Sequence, residues 1–493
     1  MSYHVLNMLS EPVWLGVSFA HAAAIASIAY IVYRLYTQGK PVRNEPPMVP
    51  YTWPFIGHMF EFYGDTEAFL ARCHEKYGPT FNIYVLGQVN TVLGSDLITE
   101  AMRMPSTMLS SHEANQKLFN YDFFFDIPEE FFASITSSIR GPLTQNIPAL
   151  LECIEEECDH AFTEMLGDGL INDISKPISC CVERIASAAF VANKDIHFHP
   201  DIVRIMPSTV EDIANTAIFG SLPIKRLRYW LLERMSSHAQ NLQAVETLIT
   251  PEIIRRHTRS KEDPSYTPPM DVLQLVTNIL SKDGELPNIK ALGQYAMFCM
   301  IFYGEVIDSI LHLVYDIAGH EHIRARLHQE QQQAVAKHGD KITREALSDM
   351  TYLDACLRES LRLNSAPIAM FRIAMQDVTF SNGISIPAGR TCFSYTRAAN
   401  RNPGVYQSAD EYLPERAADR PNLRATTTGP SYLALGLGRK SCPGRFIVAA
   451  KAMSIAAWLL RRYDFSTVSG RRPLNRMGLV YHPISEPFVF TKR

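Results

Sequence analysis

A cysteine in a glycine-rich stretch is the strongest chemical feature of this 493-residue sequence. The stretch is Tyr432–Phe446, with the sequence YLALGLGRKSCPGRF. Gly436 and Gly438 allow the backbone to turn tightly and to lie close to a flat group. Cys442 follows this turn and precedes an apolar run with helical spacing, so the helix dipole and the neighbouring basic residues favour its thiolate form. A thiolate held in this way can ligate iron; the alternative is a buried structural cysteine.

The same stretch resembles the haem-binding loop of the cytochrome P450 family, whose usual form is Phe-Gly-x-Gly-x-Arg-x-Cys-x-Gly. Leu435 stands where the family has the aromatic residue, and Lys440 stands where the family usually has Arg or His. Both changes keep an apolar shield beside the sulfur and a cation near the haem propionates. The resemblance implies that Cys442 ligates the iron of haem b, with Leu435 and Gly436 as further cofactor-binding residues.

Three arginines are the expected partners of the haem propionates. Arg140 follows Phe125–Pro128, a stretch that resembles fungal sterol 14α-demethylases, and this register gives Arg140 a propionate-pairing position. Arg372 lies five residues before Asp377, where the family places another such arginine, and Arg439 in the cysteine loop is the third. An arginine and a carboxylate form a strong bidentate pair. The alternative for Arg140 is an exposed surface arginine.

One long apolar helix is predicted over residues 288–319, and it departs from the family at its most reactive turn. Counting back from the part of this helix that matches the family places Glu305 where a threonine is usual. The alcohol of that threonine helps to deliver protons during oxygen activation. Glu305 can relay protons instead, because burial favours the protonated form of a carboxyl group, and a shift of one turn would give this role to Asp308.

Three interpretations of Glu305 are open from the sequence. In the first, Glu305 replaces the alcohol and the enzyme still oxygenates its substrate. In the second, the enzyme rearranges, dehydrates or cyclises a substrate without using oxygen, since relatives that isomerise peroxides often lack the threonine. In the third, Glu305 faces away from the haem in a salt bridge.

A charge network is expected to fix the fold around the cysteine loop. Glu359 and Arg362 lie three residues apart on one helix face, where such pairs are common. In this context they match the Glu-x-x-Arg motif of the family, and Arg416 matches its third partner. The resemblance implies a buried network, in which the loss of one partner leaves a charge unpaired.

An aromatic run is the candidate roof of the substrate pocket. Its members are Phe119, Tyr121, Phe123, Phe124 and Phe125. These side chains either pack in the core or form the loop that roofs the pocket in this fold, and we expect some of them to do each. The further candidates for the pocket wall are Phe302, Ala366 and Ile368. Phe125 stands where sterol demethylases place a tyrosine against the haem, and it has no hydroxyl, so sterol demethylation is not expected.

The composition is typical of a globular protein with reduced thiols. Hydrophobic residues make up 46% of the chain, which is ample for a core, and the net charge of −4 gives no argument for nucleic-acid binding. The nine cysteines are odd in number and scattered. This usage favours free thiols in a domain that faces the cytosol.

The N-terminal segment predicts a membrane anchor. Val13–Tyr33 carries no Asp, Glu, Lys or Arg, and about 20 apolar residues are enough to cross a bilayer. Arg34 and Lys40 follow the apolar run and place that side in the cytoplasm. A cleaved signal peptide is the alternative, although the run is long for one and lacks a basic leader. The predicted units are an anchor at 1–37, a proline-rich hinge at 38–54 and a catalytic domain at 55–493.

Local patterns predict three further elements. Thr66–Tyr77 has helical periodicity and is followed by Gly78, which stops a helix. Residues 80–93 predict a β-hairpin, because β-branched and aromatic residues flank Gly87 and Gln88. Residues 218–224 form an apolar break between helices, which in this fold is the substrate entrance at the membrane; an ordinary helix–helix turn is the alternative.

The resemblance implies a mainly α protein of the cytochrome P450 fold, with a large helical domain around a haem, a small β-rich lobe and an N-terminal transmembrane helix. The expected function is that of a monooxygenase that oxidises a lipophilic natural product, terpenoid or polyketide, in fungal secondary metabolism. A haem-dependent isomerase, cyclase or dehydratase and a non-catalytic haem-binding paralogue are the alternatives. The expected partners are NADPH-cytochrome P450 reductase and the endoplasmic reticulum membrane, for a monomer that does not bind nucleic acid.

Overall fold

A computed structural model of the chain describes residues 43–54, 56–222, 224–282, 284–304, 306–476, 482–483 and 485–493. The predicted membrane anchor at 1–37 and the predicted proton relay Glu305 lie outside these residues. Within the described ranges, no helix is long and apolar enough to span a bilayer.

Helices dominate the described chain, and their bounds run as follows. The first eleven are α1 (Met59–Gly64), α2 (Thr66–Tyr77), α3 (Ser95–Arg103), α4 (Ser111–Leu118), α5 (Tyr121–Phe124), α6 (Glu129–Ser138), α7 (Ile147–Met165), α8 (Ser175–Phe190), α9 (Lys194–His197), α10 (Pro200–Thr216) and α11 (Lys225–Met235). The next ten are α12 (His238–Glu262), α13 (Val272–Leu280), α14 (Ile289–Gly304), α15 (Ile307–Ala318), α16 (Glu321–His338), α17 (Arg344–Asp349), α18 (Thr351–Asn364), α19 (Thr396–Asn400), α20 (Glu415–Ala418) and α21 (Arg445–Arg462). A π-helical turn spans Ile139–Leu143, and 3₁₀ turns span Ala217–Ser221 and Gly438–Lys440.

The strands are short and form a β-rich lobe beside the helices. They are β1 (Phe81–Val85), β2 (Gln88–Leu93), β3 (Leu109–Ser110), β4 (Gly169–Ile171), β5 (Ala369–Ala374), β6 (Val378–Thr379), β7 (Ser385–Ile386), β8 (Thr391–Ser394), β9 (Tyr463–Thr467), β10 (Asn475–Arg476), β11 (His482–Pro483) and β12 (Phe488–Lys492). The largest sheet has the order β1-β2-β8-β5-β3, in which β2 and β8 run parallel and the other neighbours antiparallel. A second sheet has the order β4-β12-β9.

Two local predictions are confirmed: the helix has its predicted bounds, and the hairpin has its turn one residue before the predicted position. Helix α2 spans Thr66–Tyr77; the Asp65 side chain caps it by accepting a hydrogen bond from the Ala68 amide, and Gly78 ends it at φ +91°. Such a φ is open to glycine at no steric cost. Strands β1 and β2 form the predicted hairpin around a two-residue turn. Its central residues, Leu86 and Gly87, both have positive φ, as a tight hairpin turn requires.

The main hydrophobic core surrounds α21, the helix that follows the cysteine loop. Most side chains of α21 are buried, Trp458 among them, and the helix packs against α7, α15, α16 and α18. A second core lies around α14, α10 and α12 and includes part of the aromatic run. The cysteine loop is therefore attached to a helix that lies in the main hydrophobic core.

The predicted single helix over 288–319 is interrupted. Helix α14 ends at Gly304, a residue with low helix propensity, and α15 begins at Ile307. Val306 precedes α15 with φ −129° and ψ 0°, outside the helical region, so the intrahelical hydrogen-bond ladder is broken here. The prediction of one continuous helix is wrong at this turn.

The apolar break at 218–224 contains a 3₁₀ turn and the start of α11. Ile218 is 41% exposed and Ile224 is 60% exposed. Trp230 on α11 is also exposed. The break therefore exposes two apolar side chains while its 3₁₀ turn packs against α4, α10 and α11, and both interpretations of this segment stay open.

Candidate active site

The cysteine loop is held by its own backbone. The Cys442 amide donates a hydrogen bond to the Leu435 carbonyl oxygen at 2.8 Å, and this bond closes the loop around the 3₁₀ turn. Gly436 has φ +77°, and a Cβ at this position would lie 3.0 Å from the Lys440 carbonyl oxygen. Any residue other than glycine would be strained and crowded here. The loop thus needs glycine for its shape, and that shape brings the partly exposed Cys442 to the start of α21, whose N-cap is Gly444.

Arg140 contacts this loop from the π-helical turn. Its guanidinium donates hydrogen bonds to the carbonyl oxygens of Arg439, at 2.9 Å, and of Ser441, at 3.2 Å. The two residues that accept these bonds lie close before Cys442, so Arg140 braces the loop. Its predicted pairing with a propionate stays a prediction. The Arg439 side chain is exposed and has no hydrogen-bond or ion-pair partner among the described residues.

Arg372 is a buried cation without a described anionic partner. Arg372 is 5% exposed. Its guanidinium donates hydrogen bonds to the Phe371 carbonyl oxygen at 2.7 Å and to the Met102 sulfur at 3.1 Å. No carboxylate of the described residues lies within 4 Å of it. Burial lowers the pKa of Arg372 to about 10. An unpaired guanidinium in this position is suited to an anionic ligand.

The predicted charge network has short contacts. The Arg362 guanidinium donates to both carboxylate oxygens of Glu359, at 2.8 and 2.7 Å, and Arg416 donates to one of them at 3.0 Å. Arg362 also donates to the carbonyl oxygens of Asn400, at 2.9 Å, and Ala409, at 2.7 Å. Glu359 and Arg362 are 4% and 2% exposed. The network joins α18 to α19, to α20 and to the loop between them.

The aromatic run divides between core and cleft. Phe124 and Phe125 are fully buried, whereas Phe119, Tyr121 and Phe123 are half-buried. The Phe125 ring lies 5.3 Å from the Phe298 ring between centroids, and the Tyr121 ring lies 6.0 Å from it. Phe124 and Phe125 therefore pack in the core, Tyr121 lines the cleft described next, and a role of the run as the roof of the substrate pocket stays a prediction.

A narrow cleft, here termed the aromatic cleft, lies between α4, α6 and α14. Its apolar lining consists of Tyr121, Ile127, Phe132 and Phe298, and its polar lining consists of Ser111, His112, Asn115 and Gln116. The other expected wall residues take different positions. Ile368 is buried in the core cluster that includes Phe393, and the carbonyl oxygen of half-buried Ala366 accepts a hydrogen bond from the Thr396 hydroxyl at 2.6 Å.

The reactive turn is only partly described. Phe302 belongs to the last turn of α14 by its backbone, and its side chain lies outside the described part, as does Glu305. Asp308 is half-buried in the first turn of α15, where a carboxylate is favoured by the helix dipole. The roles of these residues stay predictions.

Comparison with known proteins decides the family. The model of the cytochrome P450 family matches residues 46–487. The chain belongs to the cytochrome P450 family. Members of this family are haem-dependent monooxygenase oxidoreductases, so this P450 is a haem enzyme.

Similar proteins span fungi, plants and bacteria. Cytochrome P450 monooxygenase ltmP of Epichloe festucae var. lolii is 27% identical over 69% of this chain and 71% of its own length. The sterol 14-demethylase of Arabidopsis thaliana is 24% identical, with 90% of each chain covered. Among solved structures, the retinoic acid-bound cyanobacterial CYP120A1 has a TM-score of 0.72 at 17% identity and covers 91% of this chain and 99% of its own. That structural likeness shows the fold.

The described residues of this P450 fit a haem. Cys442 is partly exposed and precedes α21, and the positive φ of Gly436 shapes the loop that holds it. Arg372 has the buried, unpaired cation that a propionate would neutralise. The described residues therefore include one cysteine sulfur that could ligate iron and one buried guanidinium that could pair with a propionate.

Sequence reasoning missed two residues next to the aromatic run. Phe298 lies seven residues before Glu305, which is two helical turns, so helical spacing could have placed it on the same face of the central helix. His238 begins α12, and its ring lies 5.3 Å from those of Phe123 and Phe124 between centroids. This contact joins residues more than 100 positions apart, so no pattern in the local sequence indicates it. Burial lowers the pKa of His238 from its ordinary 6.5 to about 4.

Proposed function

We propose that this P450 is a monooxygenase that oxidises a lipophilic natural product, of terpenoid or polyketide type, in fungal secondary metabolism. Membership of the cytochrome P450 family carries the proposal, and the aromatic side chains of Tyr121, Phe132 and Phe298 support an apolar substrate. Several relatives named as P450 monooxygenases come from fungi, among them Epichloe festucae var. lolii and Penicillium canescens. Their origin supports the proposed role in fungal metabolism.

The proposed roles of the chain's own residues follow from their positions. Cys442 gives its thiolate to the haem iron, and the loop bond to Leu435 fixes the backbone of Cys442. Arg372 and Arg439 bind propionates, while Arg140 braces the loop and is the third propionate candidate. When bound, the haem supplies the iron at which dioxygen is activated.

Proton delivery is proposed for the turn between α14 and α15. Glu305 holds and passes the proton that oxygen activation requires, and Asp308 in the following turn is the second candidate. Glu305→Gln should lower product formation while NADPH consumption continues, because reducing equivalents are then lost without substrate oxidation. Equal coupling of NADPH to product in wild type and variant would remove Glu305 from this role.

The second candidate function is a haem-dependent isomerase, cyclase or dehydratase that does not use oxygen. The absence of the usual threonine at position 305 favours it. Turnover of the natural substrate should be compared in air with NADPH and reductase, in air without NADPH, and without oxygen. Monooxygenation predicts product only in the first condition. Full turnover without oxygen would establish the second function and overturn the first.

The electron donor is proposed to be NADPH-cytochrome P450 reductase, docking at the cysteine loop. Arg439 and Lys440 are exposed there, and Arg445 lies just beyond. An acidic surface of the donor would complement these cations. Lys440→Glu should slow reductase-supported turnover and leave peroxide-supported turnover unchanged. Equal loss of both activities would contradict this docking site.

Membrane attachment is proposed through the anchor at 1–37, followed by the hinge at 38–54 and the catalytic domain at 55–493. The catalytic domain would face the cytosol from the endoplasmic reticulum, as a monomer. The exposed side chains of Ile218, Ile224 and Trp230 support contact of the break at 218–224 with a membrane surface. Removal of residues 1–37 should move most of the protein from the membrane fraction to the soluble fraction. An unchanged distribution would contradict the anchor.

A further inference from the structure

A second cleft, here termed the polar cleft, adjoins the aromatic cleft. It has a volume of about 580 Å³, and its lining contains both acids and bases, among them Asp122 and Arg228. His112, Gln116 and Ile127 line both clefts. The aromatic cleft has a volume of about 20 Å³, which is room for one water molecule. A ligand that passes from solvent through the polar cleft to the aromatic cleft therefore requires the walls to move.

Helix α11 contributes Arg228 to the polar cleft and is attached to the domain by few side chains. The structure describes the whole helix, and its two buried residues are Arg228 and Leu232, one turn apart. Leu227 is 44% exposed and Trp230 is 52% exposed. A helix that buries so little apolar surface gains little stability from packing. The position of α11 therefore depends strongly on the contacts that Arg228 makes.

Those contacts join α11 to the aromatic run. Arg228 forms an ion pair with the carboxylate of Asp122 on α5. The Tyr229 hydroxyl lies 3.1 Å from both the carbonyl oxygen and Oδ2 of Asp122 and donates a hydrogen bond to them. The Phe123 ring packs edge-on against the Tyr229 ring, with 5.3 Å between centroids. Asp122 is thus the point at which α11 is tied to α5.

The ion pair is only partly satisfied. Nη2 of Arg228 donates to Oδ2 of Asp122, whereas Oδ1 of Asp122 and the Nε–H of Arg228 are buried without a partner among the described residues. Oε1 of Gln116, in the same cleft, is likewise buried without a described partner. Buried polar groups without partners cost free energy, and desolvation offsets much of the attraction within an ion pair. Separation of α11 from α5 would hydrate these groups, so the closed arrangement is held by a small margin.

The aromatic run leads from this ion pair to the central helix. The ring of Tyr121, the neighbour of Asp122, lies 6.0 Å from the Phe298 ring on α14 between centroids. Phe298 is two helical turns before the proposed proton relay Glu305. A movement of α5 therefore also moves a ring that packs against the helix of the reactive turn.

We propose that the ion pair of Asp122 and Arg228 is a latch, which holds α11 against the aromatic run and controls the passage of ligands to the haem site. This inference rests on the proposed function, which places the substrate under the aromatic run. The open latch admits substrate and releases product, and the closed latch separates the site from solvent. Asp122 and Arg228 are then positioning residues, which set the rates of entry and release without binding the substrate.

The test follows the binding of 4-phenylimidazole to the intact haem-loaded protein by stopped-flow absorbance. The nitrogen of this probe binds the haem iron, whatever the natural substrate is. The slope and the intercept of the observed rate against probe concentration give the association and dissociation rate constants. Asp122→Asn and Arg228→Met break the pair from either side, and a double variant combines them. Lys225→Met is the matched control, because Lys225 lies 3.9 Å from the same carboxylate and its side chain is 69% exposed.

Each single variant should raise both rate constants by the same factor and leave their ratio, the Kd, unchanged, because a gate affects passage in both directions. The expected factor is about tenfold, which the loss of one charge-assisted hydrogen bond supplies. The double variant should be no faster than the faster single variant, because the same contact is lost, and Lys225→Met should match wild type.

Unchanged rate constants in Asp122→Asn and Arg228→Met would overturn the latch. So would a change confined to one of the two rate constants, or equal acceleration by Lys225→Met. Product formation by wild type that requires NADPH and oxygen would in such a case leave the proposed function standing.

Discussion

The amide of Cys442 donates a hydrogen bond to the carbonyl oxygen of Leu435 across 2.8 Å. This bond joins residues seven positions apart and closes the loop that leads to Cys442. Gly436, directly after Leu435, makes the closure possible because it adopts φ +77°. The position of Cys442 therefore depends on the backbone shape of the loop.

Replacement of Gly436 by alanine should prevent stable haem binding. The new Cβ would stand 3.0 Å from the Lys440 carbonyl oxygen and from the Ser441 Cα, in addition to the strain of a left-handed backbone. Gly438→Ala is the matched control, because it has φ +57° but nothing within 4 Å of a new Cβ. Gly438→Ala should lower the free energy of unfolding only by the strain of the left-handed backbone, which is about 1–2 kcal/mol. The haem-to-protein absorbance ratio after purification reports the effect, and equal haem content in the two variants would contradict this geometry.

Loss of the buried arginine should weaken haem retention more than loss of the exposed one. Arg372→Met removes a buried side chain that we propose as a propionate partner, whereas Arg439→Met removes a proposed partner that water screens. We expect haem transfer to excess apomyoglobin to accelerate about tenfold or more for Arg372→Met, since a hydrogen bond to a charged group contributes ~1.5–3 kcal/mol. Arg439→Met should change this rate much less. A reversed order would show that Arg372 does not face the cofactor.

Glu359→Gln should strongly destabilise the fold. The substitution removes the charge that pairs with Arg362, whose side chain is 1% exposed, and with Arg416. A buried charge left unpaired costs about 3–5 kcal/mol of unfolding free energy, measured by urea denaturation. The exposed pair of Lys194 and Glu156 provides the control, because Glu156→Gln should leave the denaturation midpoint unchanged. A small effect at Glu359 would mean that the network is solvated.

We expect His238 to lower the free energy of unfolding as the pH becomes acidic. Its pKa in the folded protein is about 4, below the ordinary 6.5, so the unfolded chain binds more protons between these values. The contribution is fully present above pH ~6.5 and is lost as the pH falls towards about 4, by up to ~3 kcal/mol. His238→Gln should flatten the dependence of urea stability on pH in this window. The exposed His322→Gln should retain it, and an unchanged slope in His238→Gln would contradict the assignment.

Local sequence patterns predict much of the fold. The contacts between residues that are distant in sequence cannot be predicted from such patterns. The pair of Glu359 and Arg362 is visible at a spacing of three residues, and the hairpin turn at Gly87 is visible in its residue types. The hydrogen bonds from Arg140 to the cysteine loop join residues about 300 positions apart, so no local sequence pattern predicts them.

The break in the central helix shows a different limit. The apolar pattern of 288–319 is continuous, because the apolar face of the helix is continuous. Hydrophobic periodicity reports which face is buried and does not report a backbone that leaves the helical region at one residue, as Val306 does. Gly304 was the only local signal, and a single glycine is tolerated in many helices.

The reduced, carbon monoxide-treated protein tests the central claim that Cys442 ligates the haem iron as a thiolate. Wild type should show the long-wavelength absorption band that gives the P450 family its name, and Cys442→Ala should lose it. Cys180→Ala, at a half-buried cysteine on α8, should keep the band. Persistence of the band in Cys442→Ala, or its absence from haem-loaded wild type, would contradict the account.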